Sequence, residues 1–232
     1  MPMDSLVYRL NNVGIFYQRF GRLPWQSRKF WALENVSFDV HRGETLGIIG
    51  KNGAGKSTLL RLLAGITVPD RGEIQRANVR ATMLSLGVGF EVRLTGRQNI
   101  VLSGLLLGMR RRYVKSQEGA IVELSGLGDA IDEPVGTYSS GMRARLGFCI
   151  AYYADTEVLL LDEALAPGDA RFREKATSLI KEKIHSNHTV VFVSHSMDLV
   201  EELCTRAVRI EHGVSLPEES VKDTIAAYLA ET

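Results

Sequence analysis

The chain has 232 residues, of which 45% are hydrophobic and 24% are charged, and its formal net charge is +1. That balance is typical of a globular protein, and the near-zero net charge gives no overall electrostatic field that favours nucleic acid. No apolar run approaches the roughly 18 residues of a membrane-spanning helix, and no signal peptide is recognisable, so we expect any membrane role to depend on a partner. The two cysteines, Cys149 and Cys204, indicate free thiols in a reducing compartment.

Strands dominate the predicted N-terminal part of the chain. Residues 6–10 and 13–17 are apolar and aromatic enough for strands, and residues 31–40 alternate at their end as a half-buried strand does. The polar and aromatic segment 18–30 between them is long for a connection inside a compact domain. It either carries function, contacts a partner or is a surface insertion, and the residues alone leave this open.

A phosphate-binding loop follows the next predicted strand. Residues 50–57 read GKNGAGKS and fit the pattern G-x-x-x-x-G-K-[ST]. An apolar strand over 44–49 precedes the motif and a helix over 58–64 follows it, which is the context that the motif requires. Its glycines let backbone N–H groups approach phosphate oxygens at the start of a helix. The residues predicted to bind nucleotide here are Gly50, Asn52, Gly53, Ala54, Gly55, Lys56, Ser57 and Thr58.

Two side chains of this loop have predicted chemical roles. Lys56 should reach the β- and γ-phosphates and act in catalysis, and the Ser57 hydroxyl should ligate Mg²⁺. A Gly-rich turn that binds nothing is the alternative, and the strand–loop–helix context argues against it. The loop by itself therefore predicts a nucleoside triphosphate site and leaves open how the energy is used.

Helices dominate the predicted middle third. Thr95 is a plausible N-cap for a helix over 98–109, and a second helix is expected over 114–127. The three arginines at 110–112 are predicted to close the first helix, where cations suit the negative end of the helix dipole. The region 88–150 is therefore expected to be a helical insertion between two halves of an α/β core.

Two continuous apolar strands mark the return to α/β character. Residues 157–163 and 189–194 are expected to be parallel strands covered on both faces. The first ends at Asp162 and Glu163, and the second is followed by His195. The other elements predicted here are helices over 172–186, 197–204 and 220–230 and a strand over 207–213.

The strand-end carboxylates are the second chemical feature of the sequence. Ligands of open α/β sheets bind at the carboxyl ends of strands, where Asp162 can hold Mg²⁺ on the phosphates. Glu163 can then polarise water as a general base. Two carboxylates that merely cap a turn are the alternative, which the upstream phosphate loop disfavours. The helix start at Ser139 and Gly141 could bind a second anion, but such sequences also make ordinary turns.

The order of these motifs resembles the nucleotide-binding domain of an ATP-binding cassette (ABC) transporter over nearly the whole chain. The resemblance implies an α/β fold: a P-loop NTPase core with a mainly parallel sheet, an antiparallel N-terminal β-subdomain and a helical insertion. It implies one domain over 1–232, with 1–87 and 151–232 as the catalytic core and 88–150 as the helical subdomain. No C-terminal carbohydrate-binding domain is expected, because only about 37 residues follow His195.

The resemblance also implies ATP and Mg²⁺ as ligands, a homodimer and several residue roles. Ser139 and Gly141 of one subunit would close on the γ-phosphate held by the other, and Asp169 would lie across the same interface. His195 would act in catalysis near the γ-phosphate. Tyr17 would stack on adenine, although the adjacent Phe16 is an alternative and a core role stays open for either.

Further segments resemble the cassettes that export O-antigen, capsule or teichoic acid. They are LGVGF at 86–90, LTGRQNI at 94–100, SSGM at 139–142, LAPGD at 165–169 and the long segment 18–30. Two departures from most cassettes stand out. Ser85 and Leu86 stand where a glutamine usually contacts Mg²⁺ and the membrane partner, an absence that is common in this subgroup. Pro167 and Gly168 precede Asp169, which makes that loop atypical.

The sequence therefore predicts the ATP-hydrolysing subunit of a polysaccharide exporter. Two copies would pair with two copies of a separate polytopic permease, which handles the lipid-linked glycan, and no nucleic-acid partner is expected. The subunit would lie peripherally on the cytoplasmic face of the inner membrane, with residues 91–112 facing the permease. Two alternatives are a soluble cassette ATPase acting on DNA or ribosomes and a nucleotide-gated module that hydrolyses ATP weakly.

Overall fold

The structure is a computed structural model that describes residues 5–20, 27–84, 89–162, 169–186, 188–217 and 220–230. The chain divides into two compact units. The first comprises Met1–Ala81, Glu157–Glu163 and Lys183–Thr232, and the second comprises Thr82–Thr156 and Ala164–Glu182.

The described residues form both strands and helices. The strands are β1 (Leu6–Phe20), β2 (Ser27–His41), β3 (Thr45–Ile49), β4 (Arg71–Arg76), β5 (Ala81–Leu84), β6 (Val158–Leu161), β7 (Thr189–Val193), β8 (Arg206–Glu211) and β9 (Val214–Ser215). The α-helices are α1 (Lys56–Leu63), α2 (Gly96–Leu106), α3 (Arg111–Ser125), α4 (Ser140–Tyr152), α5 (Ala170–His185), α6 (Met197–Leu203) and α7 (Val221–Ala230). None of the helices in these described ranges combines the length and the apolar character that crossing a membrane requires.

An antiparallel layer opens the first unit. Strand β1 pairs with β2 over nearly its whole length and with β4 along its other edge. The asparagines at 11 and 12 do not interrupt β1, because register shifts between Leu10 and Val13 absorb them as a bulge, with Asn12 at a φ of 49°. Much of the segment 18–30 therefore belongs to two long strands, while residues 21–26 lie outside the described residues.

A parallel layer continues the same sheet. Strands β8, β3, β7 and β6 are neighbours in that order and run parallel. Every residue of β3, β6 and β7 is buried, which confirms the expectation for apolar strands covered on both faces. Strand β9 pairs with β8 and with β2, so the first unit has the strand order β4-β1-β2-β9-β8-β3-β7-β6. Because parallel strands end at one edge, the residues that directly follow β3, β6 and β7, namely Gly50, Asp162 and Ser194, lie at that edge.

Helices α1 and α6 complete the core around β3. Helix α1 buries Leu59, Leu60 and Leu63 completely. At Gly47 in β3, a Cβ atom would lie 3.0 Å from the Sγ atom of Cys204, so the absent side chain allows the end of α6 to pack closely. Both cysteines are free thiols, as predicted. Burial raises the pKa of the Cys204 thiol to about 12, so it is protonated and effectively apolar at neutral pH.

The helices of the second unit correct the prediction for the three arginines at 110–112. Helix α2 ends at Leu106, and Gly108 follows with a left-handed φ of 81°, a conformation that ends helices. Arg110 is instead the N-cap of α3, and the two following arginines form its first turn. All three side chains are exposed, where solvent screens their unfavourable interaction with the positive end of the helix dipole.

The start of α2 matches the predicted N-cap. The Thr95 hydroxyl accepts a hydrogen bond from the backbone N–H of Gln98 at 3.2 Å, and the Gln98 side chain accepts one from the Thr95 N–H at 2.9 Å. This reciprocal capping box satisfies two N–H groups that the helix leaves unpaired. The prediction of Thr95 as N-cap is confirmed.

Replacing Asn99 with alanine is expected to lower the free energy of unfolding by about 2–3 kcal/mol. Asn99 is completely buried, and its Nδ2 donates to the carbonyls of Glu91, Leu94 and Thr95 at 3.0–3.1 Å. Its Oδ1 accepts from the Glu91 N–H at 2.9 Å. The substitution removes these four hydrogen bonds and takes the acceptor from the Glu91 N–H, and a shift in the urea unfolding midpoint measures the cost.

The matched control for this substitution is Arg112→Ala. Arg112 is exposed in the first turn of α3, and its replacement should change the stability by no more than about 0.5 kcal/mol. If Asn99→Ala unfolded at the same urea concentration as Arg112→Ala, the hydrogen bonds of Asn99 would not hold the 91–95 loop.

Candidate functional site

The phosphate loop lies between β3 and α1 and depends on Gly55. Gly55 is the N-cap of α1 with a left-handed φ of 102°, a conformation that favours glycine. A Cβ atom there would lie 2.3 Å from the backbone oxygen of Ala32 in β2. Both the backbone angle and the contact with β2 therefore require glycine. The loop is held between the parallel layer below it and a strand of the antiparallel layer beside it.

The ammonium group of Lys56 lies inside this loop. Its Nζ donates to the carbonyl oxygens of Gly50 at 2.6 Å and of Lys51 at 3.0 Å. The residue is only 7% exposed, yet it lines the cavity described next. The positive charge of this ammonium at the wall of the cavity attracts an anion that enters the cavity.

A cavity of about 410 Å³ brings most of the predicted site residues together within the first unit. Its lining comes from β1, β2, the phosphate loop, the start of α1 and the ends of β6 and β7. The lining residues are Tyr17, Phe30, Ala32, Asn52, Gly53, Gly55, Lys56, Ser57, Thr58, Asp162 and His195. The strand-end carboxylate and the histidine lie beside the loop because β6, β7 and β3 end at the same edge of the sheet.

Two loop residues that were predicted to bind nucleotide, Gly50 and Ala54, do not line this cavity. Gly50 packs against β8, since a Cβ atom on it would lie 2.3 Å from the Ile210 oxygen. Ala54 is 6% exposed and lines a separate cavity of about 180 Å³ with Glu211 and His212. We therefore predict that these two residues contribute to nucleotide binding by shaping the backbone of the loop.

Phe16 and Tyr17 have different surroundings in the structure. Tyr17 lines the cavity, whereas the Phe16 ring packs edge-on against Trp31, with centroids 5.4 Å apart. Neighbouring residues of a strand point to opposite faces of the sheet, so only one of these two rings can reach the cavity. Of the two candidates left open by the sequence, the geometry supports Tyr17.

Two cavity residues were missed by sequence reasoning. Phe30 lies directly opposite Tyr17 in the pairing of β1 with β2, and Ala32 follows it on the same face of β2. The aromatic character of the 18–30 segment was a signal for Phe30, but its pairing partner could not be read from the sequence. Nothing in the sequence distinguished Ala32, whose backbone oxygen abuts Gly55.

Ser139, Gly141 and Asp169 belong to the second unit. Ser139 is the N-cap of α4, and its hydroxyl accepts from the Met142 N–H at 3.1 Å. Asp169 accepts from the Phe172 N–H at 2.9 Å, which starts α5, and its carboxylate lies 3.6 Å from a guanidinium nitrogen of Arg145. The side chain of Asp169 remains 64% exposed.

Several predicted features lie outside the described residues. Glu163, Pro167 and Gly168 fall in the segment 163–168, and Ser85 and Leu86 fall in the segment 85–88. Asp162, the last described residue before Glu163, lines the cavity.

The residues of the cavity fit a magnesium–nucleotide complex. Within the described ranges, no group of three or more His, Cys, Asp or Glu side chains is placed to hold a metal ion. Mg²⁺ on a nucleotide needs only one or two protein ligands, because phosphate oxygens and waters complete its octahedron. Ser57 and Asp162 supply a hydroxyl and a carboxylate beside Lys56, which is the donor set that such an ion takes.

Neither cysteine offers an alternative nucleophile. Cys149 is fully buried in α4, and this burial raises the pKa of its thiol to about 12 against the opposing effect of Lys175 and Arg145. A thiolate is the reactive form of cysteine, so both thiols are inert at neutral pH.

The sequence is similar to known transport proteins. A family model described as ABC transporter matches residues 33–166. The O-antigen export system ATP-binding protein RfbB of Klebsiella pneumoniae is 46% identical over 187 residues, which cover 81% of this chain and 76% of RfbB. The teichoic acids export ATP-binding protein TagH of Listeria innocua is 42% identical over 186 residues, which cover 80% of this chain and 55% of TagH.

Solved structures share the fold. The ATP-binding subunit of an ABC transporter superposes with a TM-score of 0.75 at 18% identity, covering 96% of this chain and 93% of that one. The dimeric, post-hydrolysis state of the ATP-binding cassette MJ0796 bound to ADP and Pi gives 0.74 at 21% identity, covering 92% and 98%. At these identities the likeness concerns the fold alone, and it confirms the predicted fold class.

Proposed function

Because the chain belongs to the ABC transporter family, we propose that it is the ATP-binding and ATP-hydrolysing subunit of an exporter of lipid-linked polysaccharide. The ATPase part rests on the cavity in which Tyr17, Lys56, Asp162 and His195 meet. The export part rests on relatives named for O-antigen and teichoic acid export. Those names favour export over an action on DNA or ribosomes. The glycan is of the O-antigen, capsule or teichoic acid type.

The cavity binds ATP through its two ends. The base lies against Tyr17, while backbone N–H groups of the glycine-rich loop and the N-terminus of α1 surround the phosphates. The Lys56 ammonium exchanges its two carbonyl partners for β- and γ-phosphate oxygens, which bind a cation more strongly because they are charged. Ser57 and Asp162 would hold Mg²⁺, and the bound ion would supply positive charge against the phosphates.

Hydrolysis follows from positioning and charge. Glu163 accepts a proton from a water whose oxygen attacks the γ-phosphorus, and the bond from that phosphorus to the β–γ bridging oxygen breaks, which yields ADP and phosphate. Lys56 stabilises the charge that develops on the transferring group, and His195 holds the γ-phosphate in position. Such groups act mainly through preorganised electrostatics rather than covalent chemistry.

A second copy completes the site in this proposal. Ser139 and Gly141 of the partner subunit close on the γ-phosphate, and the exposed carboxylate of Asp169 lies at the same interface. Residues 1–87 and 151–232 act as the catalytic core, and residues 88–150 act as the helical subdomain. Two such subunits pair with two copies of a polytopic permease, which handles the glycan, at the cytoplasmic face of the inner membrane. No nucleic acid takes part.

Deleting the gene in its own host tests the proposed function. Surface polysaccharide is expected to fall at least about tenfold while its lipid-linked precursor accumulates inside the cell. Wild-type protein should restore export, and Lys56→Ala should not. Unchanged surface polysaccharide in the deletion strain would refute the export role. Purified protein that binds MgATP without releasing phosphate, even with the permease present, would indicate the weakly hydrolysing module instead.

A further inference from the structure

The β1–β2 hairpin carries two aromatic pairs on opposite faces. Phe16 lies opposite Trp31, and Tyr17 lies opposite Phe30. Residues directly opposite each other in an antiparallel pair project their side chains to the same face, and successive residues alternate between faces. One pair must therefore face the phosphate loop while the other faces away from it.

The pair that faces away is internally packed. The rings of Phe16 and Trp31 meet edge to face at 5.4 Å, Lys29 lies 4.2 Å above Phe16, and Arg71 lies 4.9 Å from the Trp31 ring. The Phe16 N–H also donates to the Asp70 carboxylate at 2.9 Å. The backbone pairing of the two long strands sets this register, and in it Tyr17 and Phe30 share the opposite face.

The pair that faces the loop keeps a large exposed aromatic surface inside the cavity. Tyr17 is 38% exposed and Phe30 is 42% exposed, and both line the cavity with Lys56 and Ser57. The position of Phe30 is tied to the loop through β2, because the backbone of Ala32, two residues further on, abuts Gly55. Two adjacent rings thus stand at a fixed place relative to the phosphate-binding groups.

We infer that Phe30 is a second base-contacting residue, which together with Tyr17 forms an aromatic platform for the adenine ring of ATP. This inference rests on the proposed ATP-binding function. A planar purine gains from contact with aromatic faces or edges, and a second ring extends the apolar surface that the base covers. The platform determines the affinity for the base and leaves the binding of the phosphates to the loop.

Ligands with and without a base test the inference on the full-length protein. We expect Phe30→Ala to weaken binding of MgATP about tenfold, while binding of magnesium tripolyphosphate, which lacks the base, stays within about twofold of wild type. Isothermal titration measures both dissociation constants. Phe30→Leu, which keeps an apolar side chain in β2 and removes only the ring, should weaken MgATP binding about fivefold and guards against a folding defect.

Trp31→Ala is the matched control. It removes an aromatic ring from the adjacent position of β2 on the opposite face, so both dissociation constants should remain near those of wild type. Equal affinity of wild type and Phe30→Ala for MgATP would overturn the inference and leave the proposed function intact. Equal loss of MgATP and tripolyphosphate binding would also overturn it, because Phe30 would then act through the loop. A wild-type protein that bound no MgATP would overturn the proposed function itself.

Discussion

Replacing Lys56 with alanine is expected to lower ATP turnover by about 10²- to 10³-fold. The ammonium is the cation that the phosphate loop encloses, 7% exposed and bonded to the carbonyls of Gly50 and Lys51. Alanine removes the charge that we propose stabilises the transferring phosphoryl group, together with the two hydrogen bonds to the loop carbonyls. Phosphate release under saturating MgATP measures the loss, and MgATP titration shows whether binding falls as well.

Lys51→Ala is the control for the Lys56 substitution. It removes a lysine from the same loop, but the Lys51 side chain is exposed and lines the separate cavity beside Glu211. Turnover should stay within about threefold of wild type, because Lys51 does not line the cavity that holds Lys56. If both lysine substitutions reduced turnover equally, the loss would reflect the charge of the loop in general rather than the enclosed ammonium.

Replacing Glu163 with glutamine is expected to lower turnover by about 10²- to 10⁴-fold while ATP binding persists. An amide has nearly the shape of a carboxylate but cannot accept the proton of the attacking water. Because Asp162 remains to hold Mg²⁺, the variant should accumulate an ATP-bound dimer. Light scattering should show a stable dimer in MgATP, whereas wild type should return to monomer as its ATP is consumed.

Glu157→Gln is the control at the other end of the same strand. The Glu157 carboxylate accepts from the Arg80 N–H at 2.7 Å and stands before β6 begins, so its charge plays no part in the proposed chemistry. Turnover should be nearly unchanged. Normal turnover of Glu163→Gln, measured together with the membrane partner, would contradict the role of Glu163 as general base.

Local sequence determined the elements that we propose hold the phosphates. The loop at 50–57 is defined by glycines and a lysine at fixed spacing between a strand and a helix, and each of these features depends only on near neighbours. The buried strands that end near Asp162 and His195 are likewise continuous apolar runs. Their convergence follows from one rule, that parallel strands present their carboxyl ends at the same edge.

The wrong prediction for the three arginines at 110–112 shows where local sequence was not sufficient. The arginines at 110–112 lie between two predicted helices, so their position in the sequence does not decide whether they end the first helix or begin the second. Gly108 decided between these possibilities by adopting a left-handed conformation, which ended α2 at Leu106. The preference of a cation for the negative end of a helix dipole is worth only a few tenths of a kcal/mol to about 1 kcal/mol at an exposed position. It was therefore too weak to extend α2 past Gly108.

Local sequence was sufficient to predict the proposed phosphate-binding loop, whereas the aromatic face proposed to bind the base depended on how distant strands pair. Two adjacent aromatic residues, Phe16 and Tyr17, offer no pattern that distinguishes the face of each. A register shift between Ile15 and Phe16 changes the alternation there, and the pairing with β2 then sets Tyr17 beside Phe30. A bulge changes the phase of a strand by one residue, and its place depends on contacts with distant strands, which local sequence does not specify.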